Sequence, residues 1–114
     1  MVVMSEPLRL TPAFLHIMLS VADQPLHGYA VMQAVEERTA GTVKLGPGSL
    51  YWAVKRLVEA EYLEEVPGRD DASHRRRYYR LTRVGRKVLR DELHVLADIV
   101  GYAESQNLIR RPSK

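Results

Sequence analysis

The chain has 114 residues, of which 46% are hydrophobic and 27% are charged, and its formal net charge is +3. This length and composition fit one small domain with a modest core, and they exclude a wholly disordered chain. The absence of cysteine excludes disulfides, iron–sulfur clusters and thiolate zinc sites. With no run of about 18 apolar residues and no leader pattern, we expect a cytoplasmic protein.

The first predicted helix begins at Thr11, a favourable N-cap, with Pro12 as its first residue. Apolar side chains then occur on nearly every side of the helix as far as Ala22. Such a helix must be covered on more than one side, and part of the cover can come from a second subunit. Residues 1–10 show no periodicity, so we expect a flexible N-terminal arm.

A second helix is predicted over residues 27–39, because Pro25 ends the first helix and Gly41 supplies a stop. One stripe carries Tyr29, Met32, Val35 and Glu36, and the residues beside it are Ala30, Val31 and Ala34. Residues 42–45 alternate in polarity over too short a distance to form more than an edge strand.

The third predicted helix extends to Ala60 and is entered through a rigid turn, Gly46-Pro47-Gly48. Ser49 is placed to accept hydrogen bonds from free amides at the helix start. The core face is formed by Leu50, Val54, Leu57 and Val58, which recur at helical spacing.

The opposite face of this helix is polar or amphipathic. It consists of Ser49, Trp52, Lys55 and Glu59, flanked by Tyr51 and Arg56. It carries cations but no acid in its first two turns, so it can enter the major groove of DNA. Lys44, just before the turn, is a further candidate DNA contact.

A β-hairpin is predicted next, with strands at residues 62–66 and 75–81 and turn residues between them. Alternation places Arg77, Tyr79 and Leu81 on one face of the second strand and Arg76, Tyr78 and Arg80 on the other. Glu64 and Glu65 are placed to pair across the hairpin with these arginines. Residues 75–90 contain eight cations and no acid. Such a run is usually only a solvated face, but its position beside the third helix favours contact with nucleic acid.

The last helix is predicted over residues 82–109, about 40 Å long at 1.5 Å per residue, with Thr82 as its N-cap. Leu89, Leu93, Leu96, Val100 and Ala103 follow a coiled-coil spacing, and Val88, Val95, Ile99 and Tyr102 widen this stripe. The stripe predicts a dimer interface. The alternative is that it packs only within its own subunit.

This order of elements is typical of a winged helix-turn-helix domain, a mainly α fold with a small β-hairpin, here with a C-terminal dimerisation helix. We expect a flexible arm at residues 1–10, the DNA-binding domain at 11–82, the dimerisation helix at 83–109 and a tail at 110–114.

Several separated motifs between Leu15 and Leu96 resemble the PadR family of bacterial transcriptional regulators. They are Pro25-Leu26-His27-Gly28-Tyr29, Pro47-Gly48-Ser49-Leu50-Tyr51, Arg56-Leu57, and Arg77-Tyr78-Tyr79-Arg80-Leu81-Thr82 followed by Gly85. The resemblance implies a homodimeric repressor that binds a palindromic double-stranded DNA operator. It also implies that a small aromatic or amphipathic effector often releases the operator.

By position, the resemblance assigns DNA contacts in the recognition helix to Ser49, Tyr51 and Lys55, and a phosphate contact to Tyr29. It also assigns contacts with the flanking groove or backbone to the wing from Arg75 to Arg77. The chain departs from the family in lacking the larger C-terminal helical domain of its long members, so dimerisation depends on the last and first helices. Trp52 stands where proline is frequent.

Trp52 is therefore either a base or sugar contact or an exposed ring that awaits a partner. The rival function is a winged-helix protein-interaction module that does not read DNA sequence and binds a protein through Trp52 and Tyr51. A steep salt dependence of binding to duplex DNA would separate the two functions.

No enzyme active site, metal site or cofactor is predicted. The four histidines, His16, His27, His74 and His94, show no spacing that places two ligands on one metal ion. The paired acids Glu64-Glu65 and Asp70-Asp71 are interpreted as acids of the hairpin, not as part of an active site.

Overall fold

A computed structural model describes residues 8–68 and 77–110. Its elements are α1 (Pro12–Ser20), β1 (Leu26–His27), α2 (Gly28–Arg38), α3 (Pro47–Glu59), β2 (Leu63–Pro67), β3 (Arg77–Leu81) and α4 (Arg83–Ser105). The three strands form one antiparallel sheet in the order β1-β3-β2. This arrangement of four helices and a small sheet confirms the predicted winged helix-turn-helix fold.

The starts of α1 and α2 are set by side-chain caps. The Thr11 hydroxyl accepts a hydrogen bond from the Phe14 amide at 3.2 Å, which confirms Thr11 as the N-cap of α1. His27 is the N-cap of α2 and not its first residue, because its Nδ1 accepts from the Ala30 amide at 3.2 Å. Ala40 and Gly41, with φ of 52° and 81°, end α2 as predicted.

Two features of this region differ from what the sequence pattern indicates. Residues 42–45 form no strand, and the third strand is instead β1, where Leu26 pairs with Tyr79 and His27 with Tyr78. A strand of two residues is too short to leave an alternating pattern in the sequence. The buried stripe of α2 runs through Val31 and Val35, whereas Tyr29 is 63% exposed.

The hairpin has the predicted pairing. Leu63 lies opposite Leu81 at its base, and Pro67 lies opposite Arg77. Glu64 accepts a hydrogen bond from Arg80 Nε at 2.7 Å, which confirms the expected charge pairing across the strands. The hairpin tip and the arginines predicted there, Arg75 and Arg76, lie outside the described residues.

The core is built from all four helices and all three strands. Its buried members are Phe14, Ile17, Met18, Val21, Val31, Val35, Leu50, Ala53, Val54, Leu57, Tyr62, Leu63, Tyr79, Leu81 and Leu89, with Leu26 partly buried against them. Leu8 and Leu10, in the segment predicted as a flexible arm, also pack against this core. Because α3 contributes four buried residues, its orientation relative to the sheet is fixed by packing.

The last helix starts as predicted and ends early. The Thr82 hydroxyl accepts from the Gly85 amide at 2.8 Å and donates to the Glu61 carbonyl at 2.5 Å. Arg86 Nη2 donates to the Ala22 carbonyl at 2.9 Å and so ties α4 to the end of α1. The helix ends at Ser105, before the predicted Ile109. Within the described part of the chain, no helix is long and apolar enough to cross a bilayer.

Candidate nucleic-acid interface

The outward face of α3 is fully accessible. Tyr51 is 65% exposed and Trp52 is 60% exposed, and Ser49, Lys55 and Arg56 are exposed as well. The structure thus brings these five sequence-predicted residues together on one rigid helix. Neither Lys55 nor Arg56 forms an ion pair with any residue of the described chain, so two cations on this face are not neutralised.

The start of α3 differs from the prediction in one detail. Gly46 is the N-cap and makes no side-chain cap bond, and Pro47 is the first helical residue. Ser49 therefore lies within the first turn and is not the cap. Its hydroxyl points from an exposed position close to the helix N-terminus, which is the part of a recognition helix that contacts base edges.

Trp52 is held in place by two neighbours. Its ring stacks on that of Phe14, with 6.0 Å between ring centroids and 15° between ring planes. On the same helix, the guanidinium carbon of Arg56 lies 5.5 Å from the Trp52 ring centroid. Phe14 is a core residue of α1 that sequence reasoning did not connect with the DNA-binding face, and no sequence signal marks this contact between distant residues.

A cleft of about 340 Å³ separates the start of α2 from α3 and β3. Its walls are formed by His27, Gly28, Tyr29, Met32, Pro47, Leu50, Tyr51, Val54, Arg77 and Tyr79. Two of the sequence-predicted DNA contacts, Tyr29 and Tyr51, therefore border the same cleft. Gly28 allows α2 and α3 to approach, since a Cβ at this position would lie 3.1 Å from Leu50 Cδ2.

Tyr79 forms the sheet side of this cleft and is buried. Burial raises the pKa of the Tyr79 hydroxyl above its ordinary value, and the Glu65 carboxylate adds to the increase. The hydroxyl is therefore uncharged at neutral pH. The side chain presents a hydrogen-bonding group without adding negative charge near the cations of α3.

The wing contributes Arg77 at its described end. Arg77 Nη1 lies 3.2 Å from Glu65 Oε2, and both side chains are largely exposed. Glu65, Arg77 and Tyr79 line the groove that separates the hairpin from Lys55 on α3. Arg77 thus shares a surface with the recognition helix, although its charge is partly balanced. Arg75, the other wing contact predicted from the sequence, lies outside the described residues.

Lys44 precedes α3 and is paired only weakly. Its Nζ is 4.0 Å from Glu36 Oε2, and both side chains are at least half exposed. An exposed pair at this distance contributes little to stability, so the Lys44 charge remains available to a phosphate.

The C-terminal half of α4 presents an uncovered apolar surface. Leu93 and Val100 are 36% and 38% exposed, and Ile99 is 59% exposed. Leu96 and Ala103, on the same side, are half-buried. Leu89 is only 4% exposed because it packs in the core of its own subunit, so it has little surface left for a second one.

Within residues 8–68 and 77–110, no three histidine, aspartate or glutamate side chains converge in a way that could hold a metal ion.

The chain is similar to known proteins in sequence and in fold. Residues 17–91 match the family described as "Transcriptional regulator PadR-like family". A PadR-like transcription factor from Bacteroides fragilis is similar in structure, with a TM-score of 0.67 and 21% identity over 80% of this chain and 85% of the other. A PadR-like transcriptional regulator from Bacillus cereus gives a TM-score of 0.69 and 16% identity over 82% and 89% of the two chains. At these identities, the likeness to solved structures shows the fold alone.

A curated relative is closer in sequence. It is an uncharacterized 37.1 kDa protein of transposon TN4556 from Streptomyces fradiae, 35% identical over 94 residues. The match covers 82% of this chain but only 26% of the relative, so the chain spans about a quarter of that protein's length.

Proposed function

We propose that this chain, which belongs to the PadR-like family of transcriptional regulators, is a homodimeric repressor that binds a palindromic operator through α3. DNA-binding transcription regulation follows from the family. The observation that supports this specific proposal is the outward face of α3, where Lys55 and Arg56 carry charges unpaired within the described chain beside Ser49 and Tyr51. Cations and hydroxyl donors on a rigid, protruding helix suit the major groove.

The contacts divide into two kinds. Ser49 and Lys55, on the outward face, are placed to reach base edges and so carry sequence preference. Tyr29 and Arg77, which line the same cleft beside α3, would contact phosphates, which fix the position of the protein on the duplex. Lys44 adds a cation in the segment before α3.

The homodimer is proposed from the apolar side of α4. Leu93, Leu96 and Val100 recur along one side of the helix and retain exposed surface. Two such surfaces from two copies can cover each other at coiled-coil spacing, with Ala103 continuing the stripe and Ile99 widening it. A symmetric dimer would present two copies of α3 to half-sites about 34 to 36 Å apart, which requires an inverted repeat in the operator.

We also propose that the tyrosine-lined cleft between α2, α3 and β3 receives the effector. Its volume of about 340 Å³ falls in the range of small-molecule sites. Its walls are aromatic and apolar, with the Arg77 guanidinium at one edge, which suits a small aromatic or amphipathic compound. A ligand there would contact Tyr29 and Tyr51 and compete directly with DNA.

Salt dependence of binding tests the proposal. The logarithm of affinity for a duplex should fall linearly with the logarithm of salt concentration, with a slope of about −0.9 for each neutralised phosphate. Six to ten contacts in a dimer would give a slope of roughly −5 to −9. The rival, a winged-helix module that binds a protein through Trp52 and Tyr51, predicts weak DNA binding. Absence of salt-dependent binding to any duplex would support that rival.

A further inference from the structure

We propose that Arg56 reads a guanine in the major groove and that Trp52 is the positioning residue that orients its guanidinium. This inference rests on the proposed DNA binding and assigns a role to the tryptophan on the recognition helix. It is carried by the two contacts of Trp52, one with the core residue Phe14 and one with Arg56 on the exposed face of α3.

The Phe14 contact is rigid. Phe14 is only 4% exposed and belongs to the core, and its own backbone amide is bound to the Thr11 cap. The Trp52 ring lies nearly parallel to the Phe14 ring, at 15°. An offset stack on a buried ring restricts the rotation of Trp52, although most of its surface remains exposed.

The Arg56 contact follows from helix geometry. Arg56 comes one turn after Trp52, and side chains on a helix lean toward its N-terminus. The Arg56 side chain therefore runs back along α3, and its guanidinium carbon lies 5.5 Å from the Trp52 ring centroid. This displacement carries the charge toward the N-terminal half of the helix, the half that contacts base edges in helix-turn-helix complexes.

An arginine held in this way has the chemistry that guanine requires. A guanidinium with one face on an aromatic ring keeps its N–H donors at the edge, where two of them can reach guanine O6 and N7 together. No acid of the described chain competes for these donors. Lys55 lacks both the planar fork of donors and a stacking partner, so the direction of its donors is less fixed than that of the Arg56 guanidinium.

The test uses a duplex selected by the wild-type protein from a random pool. Each guanine is replaced in turn by 7-deazaguanine, which lacks the N7 acceptor. Replacement at one guanine of each half-site should lower the affinity of the wild-type protein about 5- to 150-fold. Arg56→Ala should be indifferent to the modified guanine, and Arg56→Lys, which keeps the charge without the planar fork of donors, should bind the unmodified duplex less tightly than the wild type. Arg110→Ala, which removes an exposed arginine after α4, is the control and should remain sensitive to the modified guanine.

Variants of Trp52 test the positioning role. Trp52→Phe retains a ring and should retain most of the sensitivity to the modified guanine, whereas Trp52→Leu should lose most of it. Trp52 is the chain's single tryptophan. Its fluorescence in the DNA-free protein should therefore change in Arg56→Ala and stay unchanged in Arg110→Ala. Thermal unfolding of each variant shows whether it is folded before binding is measured.

The possible failures are distinguishable. If the wild-type protein selects no sequence, the proposed function itself is wrong. If it selects a sequence but Arg56→Ala responds to every 7-deazaguanine as the wild type does, Arg56 does not read a guanine and the inference is overturned. If Trp52→Leu keeps full sensitivity, the positioning role of Trp52 is overturned.

Discussion

Gly85 lies so close to Tyr62 that a Cβ added to it would be 2.0 Å from the Tyr62 carbonyl oxygen. That carbonyl also accepts a hydrogen bond from the Thr82 amide at 3.1 Å, so the backbone before β2 and the start of α4 are locked together. The contact is between backbone atoms, which cannot move aside as a flexible side chain can. It sets the position from which α4 leaves the domain.

Gly85→Ala is therefore expected to reduce the free energy of unfolding by about 3 kcal/mol or more, at or beyond the upper end for overpacked sites. Gly101→Ala is the matched control on the same helix, because a Cβ there would meet nothing within 4 Å. The free energy of unfolding of that variant should rise by up to about 1 kcal/mol, because alanine has a higher helix propensity than glycine. Denaturant unfolding measures both, and equal stabilities for the two variants would show that α4 starts elsewhere.

Tyr79 is expected to make stability fall under alkaline conditions. Burial raises the pKa of its hydroxyl above the ordinary value of 10.0, so the unfolded chain loses this proton at lower pH than the folded chain. The contribution of the Tyr79 hydroxyl to the free energy of unfolding is complete below pH 10. It is lost as the pH rises from there through the folded-state pKa.

The measurement is urea unfolding between neutral pH and pH 11. Tyr79→Phe should show a shallower decline above pH 10 than the wild type. Tyr102→Phe, which changes a tyrosine that is 69% exposed, should leave the decline as it is. A wild-type curve that coincides in shape with that of Tyr79→Phe would rule out Tyr79 as the source.

Glu65 is expected to restrain DNA binding by the wing, because its carboxylate accepts from Arg77 at 3.2 Å on the surface shared with α3. Glu65→Gln should release that charge and raise affinity for any duplex several-fold at low salt. Glu64→Gln is the control, since its partner Arg80 lies on the opposite face of the hairpin.

Arg77→Ala should have the reverse effect on affinity. In a dimer, the magnitude of the slope of log affinity against log salt should fall by about 1.8, which is 0.9 for each of two lost phosphate contacts. Preference for the operator over random DNA should change little. An unchanged slope with a collapsed preference would mean that the wing reads bases.

The apolar stripe on α4 is expected to hold two subunits together. Replacing Leu93 and Leu96 with glutamate places charges on the apolar side and should yield a monomer that binds DNA weakly. The control variant replaces His94 and Ser105, both exposed on the other side of α4, with glutamate. It adds similar charge and should leave the dimer intact. Light scattering that found the Leu93 and Leu96 variant still dimeric would move the interface elsewhere.

The order of the helices and of the hairpin strands, and most of their starts, could be predicted because local chemistry fixes them. Thr11 and Thr82 cap helices through side-chain bonds within the same turn, and Gly41 ends α2 through its own backbone conformation. The pairing of Glu64 with Arg80 also followed from alternation along two adjacent strands. Each of these features depends on neighbours in sequence or on one short loop.

The features that escaped prediction depend on distant contacts. β1 exists only because β3 pairs with it, and its two residues carry no periodicity. The stripe predicted on α2 included Tyr29 and Val35, but packing against the core buries Val35 together with Val31 and leaves Tyr29 exposed. The stack of Trp52 on Phe14 joins two helices that are far apart in sequence. Leu89 fits the spacing of the apolar stripe on α4, yet it is buried in the core of its own subunit.

Selection of bound duplexes from a random pool at physiological salt tests the central claim most directly. A homodimer that presents two copies of α3 should enrich an inverted repeat whose half-site centres lie about one helical turn, or 34 to 36 Å, apart. The double glutamate variant at Leu93 and Leu96 should enrich at most a single half-site. Recovery of no common sequence by the wild-type protein, or of a motif without two-fold symmetry, would contradict a dimeric, sequence-reading regulator.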